Sequence, residues 1–232
     1  MLNYYLMNTM KIEWIKGLII GGVLCLVISC YPNDRCDFNG THDFLIPSTL
    51  TPALDTFSVG DTIFFSSIFE DRVYDRGLGK HVVLSDFKFN PLTQIYRLDT
   101  TQIKSALNFF TVLIDELYDP RFTFAEVGPL MWSNYYYHNG TYKLEYKIIP
   151  RKKGLFLFQY GLSLHLTPNQ TFDGMCPNLR GWLDSYSDLN GTADNNIDFL
   201  ELSPNSHYND WILLKPEDRF HSKGGYCFFV KE

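Results

Sequence analysis

The chain has 232 residues, of which 16% are aromatic and 20% are charged, and its formal net charge is −6. This composition is typical of a globular protein and excludes a disordered chain. The negative net charge gives no reason to expect a nucleic acid or an acidic membrane surface as a partner.

An apolar run of thirteen uncharged residues spans 17–29 and ends directly before Cys30. Its length is typical of the apolar region of a signal peptide and falls short of the roughly 18 to 20 residues that a membrane-spanning helix needs. Two lysines precede it, and translation starts at either Met1 or Met10. An uncleaved anchor is the alternative, but Pro32 and the three glycines of the run disfavour a helix there.

The end of this run, Leu-Val-Ile-Ser-Cys at residues 26–30, resembles the lipobox of bacterial lipoproteins. The resemblance implies that residues 1–29 are removed as a signal peptide and that Cys30 becomes lipidated. The bilayer is then a partner through the acylated cysteine, and the chain is anchored to the bacterial outer membrane on its periplasmic or surface face. Residues 30–42 are polar and are predicted to form a tether.

The predicted fold begins near Phe44 with a segment rich in β-branched and aromatic residues. Thr56–Phe65 contains such residues around a Gly60-Asp61 turn, which predicts two short strands or one bulged strand. This segment resembles the opening strands of immunoglobulin-like modules in bacterial surface proteins. The resemblance implies an immunoglobulin-like half over residues 43–100.

The chain that follows is predicted to alternate between loop and strand. A charged loop at residues 70–76 precedes a strand from Val82 to Phe89, which ends before Pro91. Residues 99–117 are ambiguous because their apolar spacing is helical while their composition favours a strand. We expect a short helical turn near Thr101–Ser105, followed by a strand.

The clearest β signal lies between residues 132 and 166. After an Asn139-Gly140 turn, apolar residues of Tyr142–Ile148 alternate with lysine and glutamate, which predicts a hairpin with one wet face. Period two then continues from Phe156 to Leu166, which predicts the central strand of the main sheet. Residues 167–206 are predicted to be loop-rich.

Two apolar runs near the C-terminus, Trp211–Leu214 and Tyr226–Val230, are predicted to be the closing strands. The predicted fold class is therefore all-β, an antiparallel β-sandwich with at most one short helix. It comprises the immunoglobulin-like half at 43–100 and a larger sandwich at 101–232, and one fused domain is the alternative.

No set of possible catalytic residues lies in the local structure that its motif requires. Ser85 and Lys88 have the S-x-x-K spacing but lie in a predicted strand, and Ser163 and His165 lie in mid-strand without a nucleophile elbow. No two of the twenty-six acidic residues are singled out as a glycosidase pair. The sequence predicts no catalytic residue and no cofactor.

The residues between 182 and 211 supply the candidate binding groups. Aromatic side chains there are predicted to form a stacking surface for a glycan or a protein: Trp182, Tyr186, Tyr208 and Trp211. Four oxygen-bearing side chains in the same region form a weak calcium candidate: Asp188, Asn190, Asp194 and Asp198. A solvated turn rich in Asn and Asp is the preferred interpretation of these four residues.

Three cysteines remain after the lipidation site. We predict a disulfide between Cys176 and Cys227, with Cys36 free, because Cys36 lies in the polar tether. Three unpaired thiols are the alternative, since an odd count is no evidence for pairing.

The sequence therefore favours a non-enzymatic, membrane-tethered surface or periplasmic lipoprotein that binds a protein partner or a glycan through its loops. A tethered hydrolase of polysaccharides without a recognisable local motif is the alternative.

Overall fold

The computed structural model describes residues 42–166, 170–175, 181–191 and 193–232, without the side chains of residues 181, 182 and 184. The predictions for Cys30, for the signal peptide and for residues 30–41 of the tether lie outside the described residues. The strands are β1 (Phe44–Thr51), β2 (Thr56–Ser58), β3 (Ile63–Glu70), β4 (Arg72–Asp75), β5 (Lys80–Val83), β6 (Lys88–Arg97), β7 (Phe110–Ile114), β8 (Arg121–Ala125), β9 (Gly128–Trp132), β10 (Tyr136–His138), β11 (Thr141–Pro150), β12 (Gly154–Leu166), β13 (Gly181–Leu189) and β14 (Tyr226–Lys231).

The helical segments are all short. Of those in the described ranges, three are 3₁₀ turns, Leu107–Phe109, Glu116–Tyr118 and Ile197–Leu202, and two are π-helical, His207–Ile212 and Glu217–His221. The fold is therefore all-β, as predicted.

The strands form two layers that share β1. The path of hydrogen-bonded neighbours is β10-β11-β3-β1-β13-β12-β6-β9-β8, with β7 also on β11 and β14 also on β12. Residues Phe44–Ser48 of β1 pair in parallel with β13, whereas Thr49–Thr51 pair antiparallel with β3. β1 therefore leaves one layer and enters the other along its length, as strands at sandwich corners do.

Aromatic side chains fill the space between the two layers. The ring of Phe65 on β3 lies 4.4 Å from the ring of Tyr160 on β12, and the ring of Phe110 on β7 lies 5.0 Å from that of Phe156. Alternation along β3 and β12 turns these residues inward. The main core therefore joins strands from both ends of the chain.

β12 is the central strand, as the sequence predicted. It pairs with β6, β13 and β14, and both of its faces are buried in its first half. Phe156 and Phe158 face the main core, while Leu155 and Leu157 lie under the 197–221 segment. This C-terminal segment is a cover over the second face of the sheet.

The predicted hairpin after residue 138 is also confirmed. β10 and β11 pair directly, with Asn139 and Gly140 at φ of 48° and 78° in the two-residue turn. Positive φ at both positions is what a type I′ turn requires. The strand predicted after residue 105 is present as β7, but the helical turn predicted near Thr101–Ser105 lies at Leu107–Phe109 instead.

Two sequence predictions in the first half need correction. The predicted strand Val82–Phe89 is broken at Asp86, where φ is 56° and the chain turns from β5 into β6. Pro91 lies inside β6, and its carbonyl accepts a hydrogen bond from Ser133. The predicted charged loop at 70–76 contains β4, whose side chains alternate between solvent and core.

Two further corrections concern the second half. The region predicted as loop-rich contains the nine-residue strand β13. The run Trp211–Leu214 is not a strand. Tyr208 and Ile212 are spaced four residues apart, and both face the sheet from a helical segment. They belong to the third core cluster, which fills the space between β12 and the C-terminal cover: Leu98, Leu155, Leu157, Leu200, Tyr208, Ile212, Phe220 and Cys227.

Residues 43–100 and 101–232 do not form separate layers. β3 pairs with β11 over eight residue pairs and β6 pairs with β12 over ten. The described residues belong to one compact unit.

Candidate protein-binding face

The solvent side of β3 carries apolar side chains in an unusual place. Its burial alternates strictly, with Ile63, Phe65, Ser67 and Phe69 inside. The residues between them point outward, and among these Phe64 is 46% and Ile68 is 49% exposed. A half-buried strand normally places polar residues on this side, so the two exposed apolar residues need an explanation beyond folding.

Register extends this surface across four strands, β3, β11, β7 and β10. Lys147 of β11 lies opposite Phe64 on one side and opposite Leu113 of β7 on the other. Lys143 in the same way lies between Ile68 and Tyr136 of β10. Directly opposed residues of antiparallel strands share one face. The outer face is defined by these residues together with the pair Ser66 and Glu145: Phe64, Ser66, Ile68, Leu113, Tyr136, Lys143, Glu145 and Lys147.

The charges of the outer face are held in place by their neighbours. Lys143 Nζ lies 2.8 Å from a carboxylate oxygen of Glu145, and the hydroxyl of Ser66 donates to the other oxygen at 3.3 Å. The hydrogen bond to Glu145 raises the pKa of Lys143. The ammonium of Lys147 lies 5.1 Å from the ring centre of Phe64. The outer face therefore has apolar side chains on both sides of a charged stripe along β11.

Only part of the outer face could be predicted from the sequence. The wet residues of β11 were predicted from their alternation, but Phe64 and Ile68 were not, because β3 is apolar on both sides. Only the register between β3 and β11 shows that these two residues flank the lysines.

The predicted aromatic binding residues do not form one surface. Tyr208 is 1% exposed and packs in the third core cluster, so its ring lies inside the fold. Trp211 is 46% exposed, but its ring stacks on His207 at 4.8 Å and on the guanidinium of Arg219 at 3.9 Å. The side chain of Trp182 lies outside the described residues, so its role stays a prediction.

Tyr186 lines a polar cavity of about 380 Å³ between β13 and the C-terminal cover. The guanidinium of Arg76 lies 4.1 Å from its ring centre and 3.7 Å from Glu217. Burial and a hydrogen bond to Glu217 raise the pKa of Tyr186 to about 12. Because Arg76 covers its ring, Tyr186 acts as a wall of the cavity and not as a stacking platform.

The calcium candidate is organised as a turn held by amides. The side chain of Asn190 accepts from the Leu50 amide and donates to Asn195, each at 2.9 Å, and Asn195 donates to the Leu189 carbonyl at 3.0 Å. No group of three or more His, Cys, Asp or Glu side chains suited to a metal occurs among the described residues. Both the calcium role of Asp188, Asn190, Asp194 and Asp198 and the solvated-turn interpretation stay predictions.

Cys227 is a free thiol, fully buried in the third core cluster. Burial raises the pKa of this thiol well above its ordinary value. Cys36 and Cys176 lie outside the described residues. Because Cys227 carries a free thiol in this structure, the predicted bridge between Cys176 and Cys227 is not found.

Within the part of the chain that the structure describes, no helix has the length and apolar character needed to cross a membrane.

Comparison with known proteins gives structural likeness only. No protein-family model matches the sequence, and no curated protein matches it either. The chain is similar in structure to the second type II cohesin module of the cellulosomal adaptor ScaA scaffoldin of Acetivibrio cellulolyticus, with 10% identity and a TM-score of 0.30 over 62% of this chain and 92% of that one. A type II cohesin dyad of the same scaffoldin matches with 13% identity and a TM-score of 0.24 over 62% of this chain, which spans 46% of the dyad's length. The fold assignment therefore rests on the strand pairing.

Proposed function

We propose that this chain is a non-enzymatic binding protein, tethered to the cell envelope by a lipid on Cys30, whose outer face contacts a protein partner. One observation carries the proposal. Four large side chains with apolar surface, Phe64, Ile68, Leu113 and Tyr136, are 39% to 51% exposed on a single sheet face. Contiguous exposed apolar surface of this kind marks interaction sites.

The chemistry of the face defines the partner. Glu145 is already bound by Lys143 and Ser66, so Lys147 is the charge of the stripe that remains for a partner group. A complementary surface has apolar side chains around a carboxylate that faces Lys147. With strands about 4.8 Å apart, the face covers a few hundred Å². This is large enough to form the central part of a standard interface, which buries roughly 800 Å² per partner.

The test compares substitutions on and off the face. The full chain is used to capture partners from an envelope extract of the producing cells, and the affinity of the captured protein is then measured. Phe64→Asp or Ile68→Asp is expected to weaken binding about 30-fold, the effect of losing a residue worth about 2 kcal/mol. Leu214→Asp, at a residue that is 69% exposed in the C-terminal cover, is the matched control and should bind normally.

Equal binding by Phe64→Asp and by the Leu214→Asp control would exclude the outer face as the contact surface. A screen against polysaccharides tests the rival functions. Release of products would establish the tethered hydrolase, and retention of a polysaccharide without turnover would establish a glycan partner.

The lipid tether is tested separately. Metabolic labelling with a fatty acid should mark the wild-type chain and not the Cys30→Ala variant, because Cys30 carries the acyl group in the lipobox interpretation. Unchanged labelling and membrane association of the variant would show that Cys30 is not the lipidation site. That result would leave the protein-binding role of the outer face untouched.

A further inference from the structure

Among the described strands, β8 is the last of its layer, and no described strand pairs with its outer edge. It pairs with β9 on one side only, over five residue pairs from Arg121–Trp132 to Ala125–Gly128. None of the described residues hydrogen-bonds to the backbone of its other side. All five residues of the strand are exposed.

The register identifies which backbone groups point outward. Pro129 has no N–H, so its pair with Phe124 is of the non-hydrogen-bonded type. The two types alternate along an antiparallel pair, which makes the pair of Phe122 with Met131 non-hydrogen-bonded as well. Phe122 and Phe124 therefore direct their N–H and C=O groups away from β9, toward the open edge.

The side chains of the same two residues are exposed apolar groups. Phe122 is 52% and Phe124 is 84% exposed. They lie on the same sheet face as Met131, which is fully buried. The face that forms the core at Met131 is therefore exposed to solvent at Phe122 and Phe124. The strand contains no proline, and Arg121 is its one charged residue, so the usual protection of an edge is nearly absent.

The β8–β9 hairpin is held firmly to the fold. The amide of Ser105 donates to the Val127 carbonyl at 2.5 Å, and its hydroxyl donates to the Pro129 carbonyl. The edge is therefore a preformed template for an added strand.

We propose that β8 pairs antiparallel with β8 of a second copy of this chain, about a two-fold axis at Thr123. The sequence Phe-Thr-Phe is the same read in either direction, so Phe122 meets the partner's Phe124 and Phe124 meets the partner's Phe122. Both pairs exchange two backbone hydrogen bonds, four in total, and the rings lie side by side on one face.

Charge also favours a second copy. Arg121 lies opposite the partner's Ala125 and next to the partner's Glu126, an exposed acid at the end of the strand. A two-fold axis creates this contact twice. Only the register centred on Thr123 uses both phenylalanines on each copy. The contact involves about six residues per copy, against roughly 20–30 residues a side in a standard interface, so the dimer is weak and depends on concentration.

The test uses sedimentation of the full chain in detergent across a wide range of concentrations. The wild type should shift from monomer to dimer, and Phe124→Lys should raise the dissociation constant roughly tenfold or more. Leu214→Lys is the exposed control and should behave as the wild type does.

Cross-linking tests the register. Residues in a non-hydrogen-bonded pair have Cα atoms about 4.5 Å apart, within the range that a disulfide spans. Thr123→Cys should form a cross-linked dimer on mild oxidation, beyond the background of the native cysteines in the wild type. Arg121→Cys and Ala125→Cys should cross-link when mixed and not when oxidised separately.

A monomer at all concentrations, with no Thr123→Cys cross-link, would overturn the proposal. A dimer that survives Phe124→Lys would also overturn it, because another surface would then hold the copies together. Neither result depends on Phe64 or Ile68. The failure of the dimer proposal would therefore leave the proposed role of the outer face to be decided by the partner-binding assay.

Discussion

The buried carboxylate of Asp75 provides the sharpest test of how the fold is held together. Its side chain is 0% exposed, and its Oδ2 lies 2.6 Å from Nδ1 of His42. Its Oδ1 accepts the backbone N–H of Gly77 at 2.9 Å and those of Asp43 and Leu78 at 3.2 Å. One carboxylate therefore ties the start of β1 to the turn between β4 and β5.

Replacing Asp75 by Ala removes the acceptor of all four bonds. A hydrogen bond to a charged group contributes about 1.5–3 kcal/mol, but the three amides lie close enough to solvent to regain part of this. We expect a loss of about 3–5 kcal/mol in the free energy of unfolding, the usual cost of breaking a buried pair. Asp75→Asn keeps Oδ1 as an acceptor and offers an N–H to His42, so its loss should be about 1–2 kcal/mol.

Urea unfolding measures both variants. With an m-value of about 2 kcal/mol/M, the midpoint should fall by about 1.5–2.5 M for Asp75→Ala and by less than about 1 M for Asp75→Asn. Asp61→Ala is the control, because this exposed carboxylate accepts one bond, from the Ser58 amide at 2.7 Å. A midpoint for Asp75→Ala close to that of the control would refute the reasoning. Equal losses of unfolding free energy for the Asn and Ala variants would show that the negative charge of Asp75 stabilises the fold, and that the number of hydrogen-bond acceptors does not.

Three further predictions concern the core. Tyr146→Phe should lower the free energy of unfolding in urea by about 1–2 kcal/mol, because its hydroxyl lies 2.6 Å from that of buried Thr93. Adding Thr93→Val should recover part of this loss, and strictly additive losses would contradict an interaction between the two hydroxyls. Cys227 should resist a thiol reagent at pH 8 and react only in denaturant, since burial raises the pKa of its thiol; mass spectrometry of its peptide reports this, and rapid labelling of the folded chain would count against it. Gly225→Ala should cost about 1–3 kcal/mol, because a Cβ there would lie 2.5 Å from the Phe220 ring; the melting temperature should fall by about 2–4 °C per kcal/mol, and an unchanged value would mean that the ring moves freely.

Parts of the fold could be predicted because their two faces differ in polarity. Along β11, lysine and glutamate alternate with apolar residues that are buried, so period two indicates both the strand and its wet side. β12 was predicted as central because its apolar period extends over its whole length. In both strands the local pattern and the tertiary environment agree.

The remaining parts depend on contacts between distant residues. β3 is apolar on both sides, and only its pairing with β11 shows that Phe64 and Ile68 face solvent. Tyr208 and Ile212 carry the spacing of a helical face, but a run of four apolar residues is too short to separate a helix from a strand. The outer face and the C-terminal cover could therefore not be derived from local pattern alone.

The pairing of β2 with the C-terminal strand β14 has a consequence for the order in which the chain folds. β2 pairs with β14, and the Tyr226 hydroxyl donates to the Leu54 carbonyl across 172 residues of sequence. Contacts of such long range make folding slow, because the loop must close before they form. β2 has no other strand partner among the described residues, so it can join the sheet only after β14 has been synthesised.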